Sequence, residues 1–259
     1  MEPRTAKASE FLAVLEKARI EPNFWTSREY FRRAGLQVIR SDGLLVVIEP
    51  DTEWAVLPAL NPRTGQAVSF PGLNIWSDFL GTELSDRVPE FLDYEYLYDP
   101  KAFLNLSGSK WSAFRKNVRK YPAGKQNLNY TPLFPHHRSK VEGVIVAWLE
   151  GLRDTEVHDD AVMLDYLLYG DNRWGLFDGD MLVGINVWDY SWKYLNFRYC
   201  VCRPEPFLSE YMRYLFYMYM RDAEPWNMVN DGGVLDRPAL KTFKDRLNPV
   251  RVREVRSWL

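Results

Sequence analysis

A chain of 259 residues, 46% of them hydrophobic and 15% aromatic, has ample material for one or two packed domains, which excludes an intrinsically disordered protein. With 33 Lys and Arg against 35 Asp and Glu, the formal charge of −2 gives no overall pull towards nucleic acid or anionic lipid, so any such partner must be held by a local patch. The opening stretch MEPRTAKASEF is polar and no apolar run approaches the length that spans a bilayer, so a soluble, cytoplasmic protein is expected.

In chain order, residues 9–19 carry Phe11, Leu12, Leu15 and Ala18 at helical spacing behind Ser9 as a cap, and SREYFRRAG reads as a second helix closed by Gly35. β-Branched residues flanking Ser41-Asp42-Gly43 predict a hairpin, and EWAVLPAL a third strand. From about Asn61 to Pro89 there is no clear period, which predicts a structured loop region. SGSKWSAFRKNVRKY then reads as a basic helix, VEGVIVAWLEGLRD as an amphipathic one, and DDAVMLDYLLYG as another.

A three-strand meander follows, with strands expected at about 174–178, 181–189 and 193–202 and turns at Asp178-Gly179-Asp180 and Tyr190-Ser191-Trp192. The long helix LSEYMRYLFYMYMRDA comes next, then a strand at 226–230, the turn Asn230-Asp231-Gly232-Gly233, a lysine-bearing helix and a last strand at 250–257. Cys200 and Cys202 sit at i and i+2 along one strand, poor geometry for a mutual disulfide, and are expected to be buried thiols. His136-His137 and His158-Asp159-Asp160 contain ligand types without a spaced motif, so no metal is expected.

This element order, with Asp-Gly between the first two meander strands, resembles the acyltransferase half-domain of the GNAT superfamily. The segments YEYLYDPKAFLNLSGSKWSAFRKNVRKY and NDGGVLDRPALKTFKDRLNP resemble, more specifically, the family related to the catalytic C-terminal domain of phosphatidylglycerol lysyltransferases and, more distantly, Fem-type aminoacyltransferases. The resemblance implies an α/β fold of mixed sheet and helix in tandem GNAT-like half-domains, a degenerate one over 1–90 and the acyltransferase one over 91–259. It implies an enzyme that moves an acyl or aminoacyl group to an amine, with acyl-CoA (acetyl-CoA included) or aminoacyl-tRNA as donor, lodged in a wedge between residues 195–202 and 226–230. The acceptor may be small or macromolecular in such a family. One departure stands out. The loop Arg203-Pro-Glu-Pro-Phe-Leu-Ser209 replaces the glycine-rich loop that cradles pyrophosphate, since prolines have no N–H to offer and Glu205 repels phosphate.

Acyl transfer to an amine passes through a tetrahedral oxyanion, which needs donors or a cation where the charge develops. The resemblance maps the lysine of the Phe-Lys pair onto Lys244, assisted by strand backbone N–H groups. Spacing alone leaves open a solvated helix face, with Lys241 and Lys244 three residues apart. Tyr211 and Tyr214 are candidate proton donors to the leaving group, and Asp231 and Asp189, at strand ends, candidate bases or turn residues. Lys110, Arg115, Lys116, Arg119, Lys120 and Lys125 crowd the basic helix at 110–125, opposite the stripe Trp111, Phe114, Val118. That face is either merely solvated or carries the phosphates of a donor, a tRNA or DNA. Arg115, in the family's Arg-x-Asn position with Asn117, ranks first, with Lys116, Arg119, Arg203 and Lys241 as further donor contacts. Asn196, Arg198, Asn227, Asn230 and Gly232 are the expected wedge or acceptor residues. Two other readings compete: a binding protein that kept the fold and lost the chemistry, and a transferase acting on an amine-bearing modified base.

Overall fold

The structure, a computed structural model, describes residues 4–52, 54–68, 70–72, 74–77, 90–151, 161–223, 228–234 and 237–257. Two sheets organise it. The first takes β1 (Arg4–Ala6), β2 (Gln37–Ser41), β3 (Leu44–Ile48), β4 (Ala59–Leu60) and β5 (Ala67–Val68) in that order, with α1 (Ala8–Lys17) and α2 (Arg28–Arg33) packed beside it. The hairpin expected at Asp42-Gly43 is formed. Ser41 pairs with Leu44, and both loop residues take positive φ, 49° and 81°, the conformation whose twist matches the flanking strands. Of EWAVLPAL only the last two residues form a strand, and short strands also appear inside the stretch expected as loop. Residues 78–89 of that stretch lie outside the described residues.

The second sheet has eight strands in the order β6-β13-β7-β12-β11-β10-β9-β8. They are β6 (Trp76–Ser77), β7 (Glu90–Tyr98), β8 (Leu128–Pro132), β9 (Asn172–Asp178), β10 (Met181–Tyr190), β11 (Leu195–Cys202), β12 (Val229–Asn230) and β13 (Arg251–Ser257). The meander β9-β10-β11 is antiparallel and falls where the alternation and turns predict it, and β13 is within a residue of expectation. Of the strand expected at 226–230, the described residues form β12 at Val229–Asn230, and residues 226–227 lie outside them. β6 pairs with β13, so Trp76–Ser77 extends the second sheet rather than the first.

The helices α3 (Pro100–Asn105), α4 (Ser112–Lys120), α7 (Leu208–Ala223) and α8 (Pro238–Arg246) cover one face, and α5 (Arg138–Gly151) and α6 (Ala161–Tyr169) the other. The stripe Trp111, Phe114, Val118 of α4 is buried as its spacing predicts, in one cluster with Phe103, Phe197, Phe216 and Tyr217. Phe103 and Tyr217 stack at 3.7 Å, fixing α3 against α7.

A wedge between parallel strands and two buried charge clusters

β11 and β12 run parallel and pair only at Leu195↔Val229 and Asn196↔Asn230. β11 then continues to Cys202 while the segment after β12 parts from it and stays beside β7, the Asp231 N–H donating to the Tyr96 carbonyl (2.9 Å) and the Gly232 carbonyl accepting the Tyr96 N–H (3.2 Å), so the two diverge from a shared root. The two glycines explain the departure. Gly232 sits at φ +59°, and a Cβ there would stand 2.9 Å from the Phe24 ring. At Gly233 a Cβ would lie 1.8 Å from the Asp93 carboxylate, whose oxygens accept the Val234 N–H, both at 3.0 Å.

Lys244 stands directly under this turn. Its side chain is buried, and its ammonium donates to the carbonyl oxygens of Asp231, Gly232 (3.2 Å) and Gly233 (2.6 Å). An ammonium has three N–H donors, and three main-chain acceptors occupy them. The Asp231 carboxylate is 3.7 Å from the same nitrogen and accepts from Arg213 of α7, which is also buried and lies 5.0 Å from the Phe197 ring centre. The three form one buried Arg213–Asp231–Lys244 cluster closing the α7 side of the wedge. Lys241, three residues earlier, points outward and binds Asp245 at 2.9 Å. The pair does not act as one face: Lys244 holds the turn, and Lys241 is on the surface.

Burial lowers the Lys244 pKa to about 8 from 10.5, the nearby Arg213 charge adding to the effect and Asp231 opposing it. Between about pH 8 and 10.5 the folded lysine has released a proton that the unfolded chain keeps, so this group's contribution to stability rises with pH through that window and is lost as pH falls back to about 8. The melting temperature of the wild type minus that of Lys244→Met should therefore increase from pH 8 to pH 10. A difference flat with pH would mean that Lys244 titrates normally.

On the opposite face of the same strands lies a second cluster. Asp189, at the end of β10, accepts hydrogen bonds from Asn196 Nδ2 (2.9 Å), Arg198 Nε (2.9 Å), Ser27 Oγ (2.6 Å) and the Tyr166 hydroxyl. The Asp189–Arg198 pair is buried, with side-chain exposures of 2% and 0%. Arg198 also donates to Ser27 and stacks 4.2 Å from the Phe24 ring centre. Ser27 meanwhile caps α2 by accepting the Tyr30 N–H, so one hydroxyl links a helix start to the second sheet. Asn230, buried between the clusters, accepts the Gly232 N–H at 3.0 Å. Asn227 is outside the described residues.

The basic helix divides in two. Arg115 donates to the carbonyls of Leu106 and Gly108 (2.9 Å), pinning the left-handed end of α3, where Leu106 has φ 42°. Lys116, Arg119 and Lys120 are exposed, and Lys120 lies over Phe207 at 4.6 Å. Arg115→Ala should cost about 1.5–3 kcal/mol in a urea melt, the usual range for hydrogen bonds to a charged group. The surface pair Lys116→Ala with Arg119→Ala should leave the midpoint unmoved and flatten the salt dependence of any phosphate-bearing ligand. Were the surface pair to shift the midpoint and Arg115→Ala not, the division would be wrong.

Around the start of α7, where a glycine loop would cradle phosphate, stand two carboxylates engaged by the protein's own side chains. Glu205 accepts from Lys125 and the Tyr121 hydroxyl, both at 3.1 Å, and Glu210 accepts from Asn117 at 3.0 Å. Arg203 turns away, donating to the Leu182 carbonyl at 3.0 Å. Tyr211 is half-buried with its ring 5.3 Å from Tyr121, and burial raises its pKa, which keeps the phenol protonated. Cys200 and Cys202 are free thiols with sulfurs 3.7 Å apart. Among the described residues no three His, Cys, Asp or Glu side chains gather as a metal site, and no helix is long and apolar enough to cross a membrane. His158, Asp159 and Asp160 lie outside those residues.

Arg213, Ser27 and Tyr166 were not singled out by the sequence. A buried arginine inside an apolar helix stripe was the one available signal, at Arg213.

No family model and no curated protein matches the sequence. Solved structures do share its fold. A conserved protein of unknown function from Bacteroides thetaiotaomicron superposes with TM-score 0.72 at 12% identity, covering 100% of both chains. The C-terminal domain of a putative lysylphosphatidylglycerol synthetase from Agrobacterium fabrum gives 0.60 at 13%, covering 97% of this chain and 92% of that one. FemX gives 0.60 at 10%, covering 100% and 97%. At such identities the likeness speaks for the fold, and the fold expected from the sequence, GNAT-like mixed α/β, is the one found.

Proposed function

We propose that this protein is an acyl- or aminoacyltransferase that passes its group to an amine, with the donor's acyl end in the wedge between β11 and β12. The observation that carries this reading is the divergence of two parallel strands after only two paired residues. Beyond Asn196, β11 has no hydrogen-bonded partner strand on its β12 side among the described residues, which leaves backbone N–H groups directed at whatever enters. Such groups are suited to an acyl carbonyl and to the oxyanion that forms on it. The acceptor's neutral amine attacks the carbonyl carbon and negative charge collects on oxygen; the nitrogen then loses its extra proton to solvent, the carbonyl re-forms as the bond to the leaving group breaks, and the leaving group takes up a proton. Tyr211, held in its protonated form on α7, is the candidate donor of that proton.

Lys244 and Asp231 take part in this proposal as positioning residues. Their charges are engaged by the turn carbonyls and by Arg213, and they fix where the wedge's second wall lies. The donor is acyl-CoA or aminoacyl-tRNA. Glu205 and Glu210 at the start of α7 disfavour pyrophosphate in its usual seat, which favours the tRNA donor. The exposed Lys116 and Arg119 supply phosphate contacts in either case.

Thermal shift against acetyl-CoA, longer acyl-CoAs and aminoacyl-tRNA tests the reading, because a ligand of the native state raises the melting temperature by mass action. A stabilising donor whose acyl group then appears on an added amine supports transfer. Donor binding without transfer would instead mark a binding protein on this fold, and no response to any donor would overturn the proposal.

A further inference from the structure

On the Asp189 face of the wedge three buried side-chain atoms have no hydrogen-bond partner among the described residues: Asn196 Oδ1, Arg198 Nη1 and Asn230 Nδ2. All three residues are more than nine-tenths buried. Unpaired buried polar atoms are rare because each gives up its hydration without a replacement. Three at one strand root call for an occupant.

The polarity of the two amides is fixed by their partners. Asn196 donates its NH2 to the Asp189 carboxylate, which cannot donate back, so its Oδ1 must be the free end. Asn230 accepts the Gly232 N–H, so its NH2 must be the free end. Asn196 and Asn230 are paired neighbours across β11 and β12, and Arg198 is two residues along β11 on the same face. The vacant set is therefore one acceptor and two donors.

Charge narrows the choice. Arg198 is already neutralised by Asp189 at 2.9 Å. A carboxylate would add an uncompensated charge next to Asp189 and turn a lone pair on Asn196 Oδ1. An ammonium would face two donors. A neutral amide has a carbonyl oxygen with two lone pairs for Arg198 and Asn230, and an N–H for Asn196. Phe24, a partly exposed ring, covers Arg198 and abuts Gly232, so that ring must move for an amide to reach these buried atoms.

We infer that Asn196, Arg198 and Asn230 form a binding subsite for a neutral amide group carried by the acceptor. The identification of the molecule as acceptor rests on the transferase reading, and the subsite itself does not.

The test uses the full chain and small probes: acetamide and N-methylacetamide, with acetate, methylammonium chloride and ethanol as controls. The side-chain NH2 signals of Asn196 and Asn230 are followed by 15N-resolved NMR. Both amides should give saturable shifts at Asn230, at least fivefold tighter than any control. Asn230→Leu should abolish saturation, and the milder Asn230→Ser should weaken it even if the leucine variant does not fold. Phe24→Ala should leave the saturable response in place and lower the half-saturating concentration. Shifts linear in concentration, or equal for amides and acetate, would overturn the subsite, as would saturation by ethanol to the same degree, which would indicate a site for ordered water or a hydroxyl only. Because no donor and no turnover enter the measurement, a chain that binds amides but transfers nothing sinks the transferase proposal alone. One that transfers but ignores amides sinks the subsite alone.

Discussion

Lys244→Met should lower stability by about 3–5 kcal/mol, the range seen when one partner of a buried charge cluster is removed. Methionine fills much of the same space but leaves the carbonyls of Asp231, Gly232 and Gly233 without their shared donor, and leaves Asp231 with Arg213 alone. Turnover of whatever fraction remains folded should fall by about a hundredfold, because the turn that forms one wall of the wedge loses its anchor and misplacement of reacting groups by about 1 Å is worth that much. Lys244→Arg should not restore either quantity: a planar guanidinium cannot direct three N–H groups into a compact cage of carbonyls. Lys241→Met is the control and should leave the urea midpoint nearly unchanged, since that ammonium is exposed, pairing with Asp245 and lying over the Tyr94 ring at 5.7 Å. Equal midpoints for Lys244→Met and wild type would mean that the turn holds itself.

The comparison of these two lysines also shows where sequence reasoning reached and where it stopped. A spacing of three places side chains about 60° apart on a helix, so periodicity brackets Lys241 and Lys244 together but does not say which one points inward. The resemblance of the Phe-Lys pair singles out Lys244, and the turn carbonyls that its ammonium meets give the physical reason. Hairpins at Asp42-Gly43 and Gly179 were legible because positive φ is a local demand that glycine, and to a lesser degree aspartate, meets locally. The amphipathic stripe of α4 was legible for the same reason. Arg115 could be read as cationic but not as the residue that pins the end of α3, because its acceptors are carbonyls, and every residue has one. Ser27 was invisible as a site residue, since its carboxylate partner, Asp189, is 162 residues away. Of the strand expected at 226–230, Val229 and Asn230 pair as β12, and residues 226–227 lie outside the described residues.

Asp189→Asn should be nearly as damaging as loss of Lys244, and in a different place. The carboxylate accepts four donors, from Ser27, Tyr166, Asn196 and Arg198, and is the counter-charge of an arginine whose side chain is fully buried. Asparagine keeps the shape, but it offers one oxygen in place of two and turns an NH2 towards groups that themselves donate. Burial of Arg198 without compensation should cost about 3–5 kcal/mol in a denaturant melt. The loss should not be uniform. Ser27 caps α2 and is itself held by Asp189 and Arg198, so hydrogen exchange in α2 should accelerate more than in the meander β9-β10-β11, whose ladder remains intact. If instead α2 stayed as protected as the sheet, the cluster would not be what holds α2, and the bonds of Arg33 to Asp165 and to the Tyr169 carbonyl (2.8 Å), with the rings of Phe24 and Tyr30 over Arg198, would carry that joint.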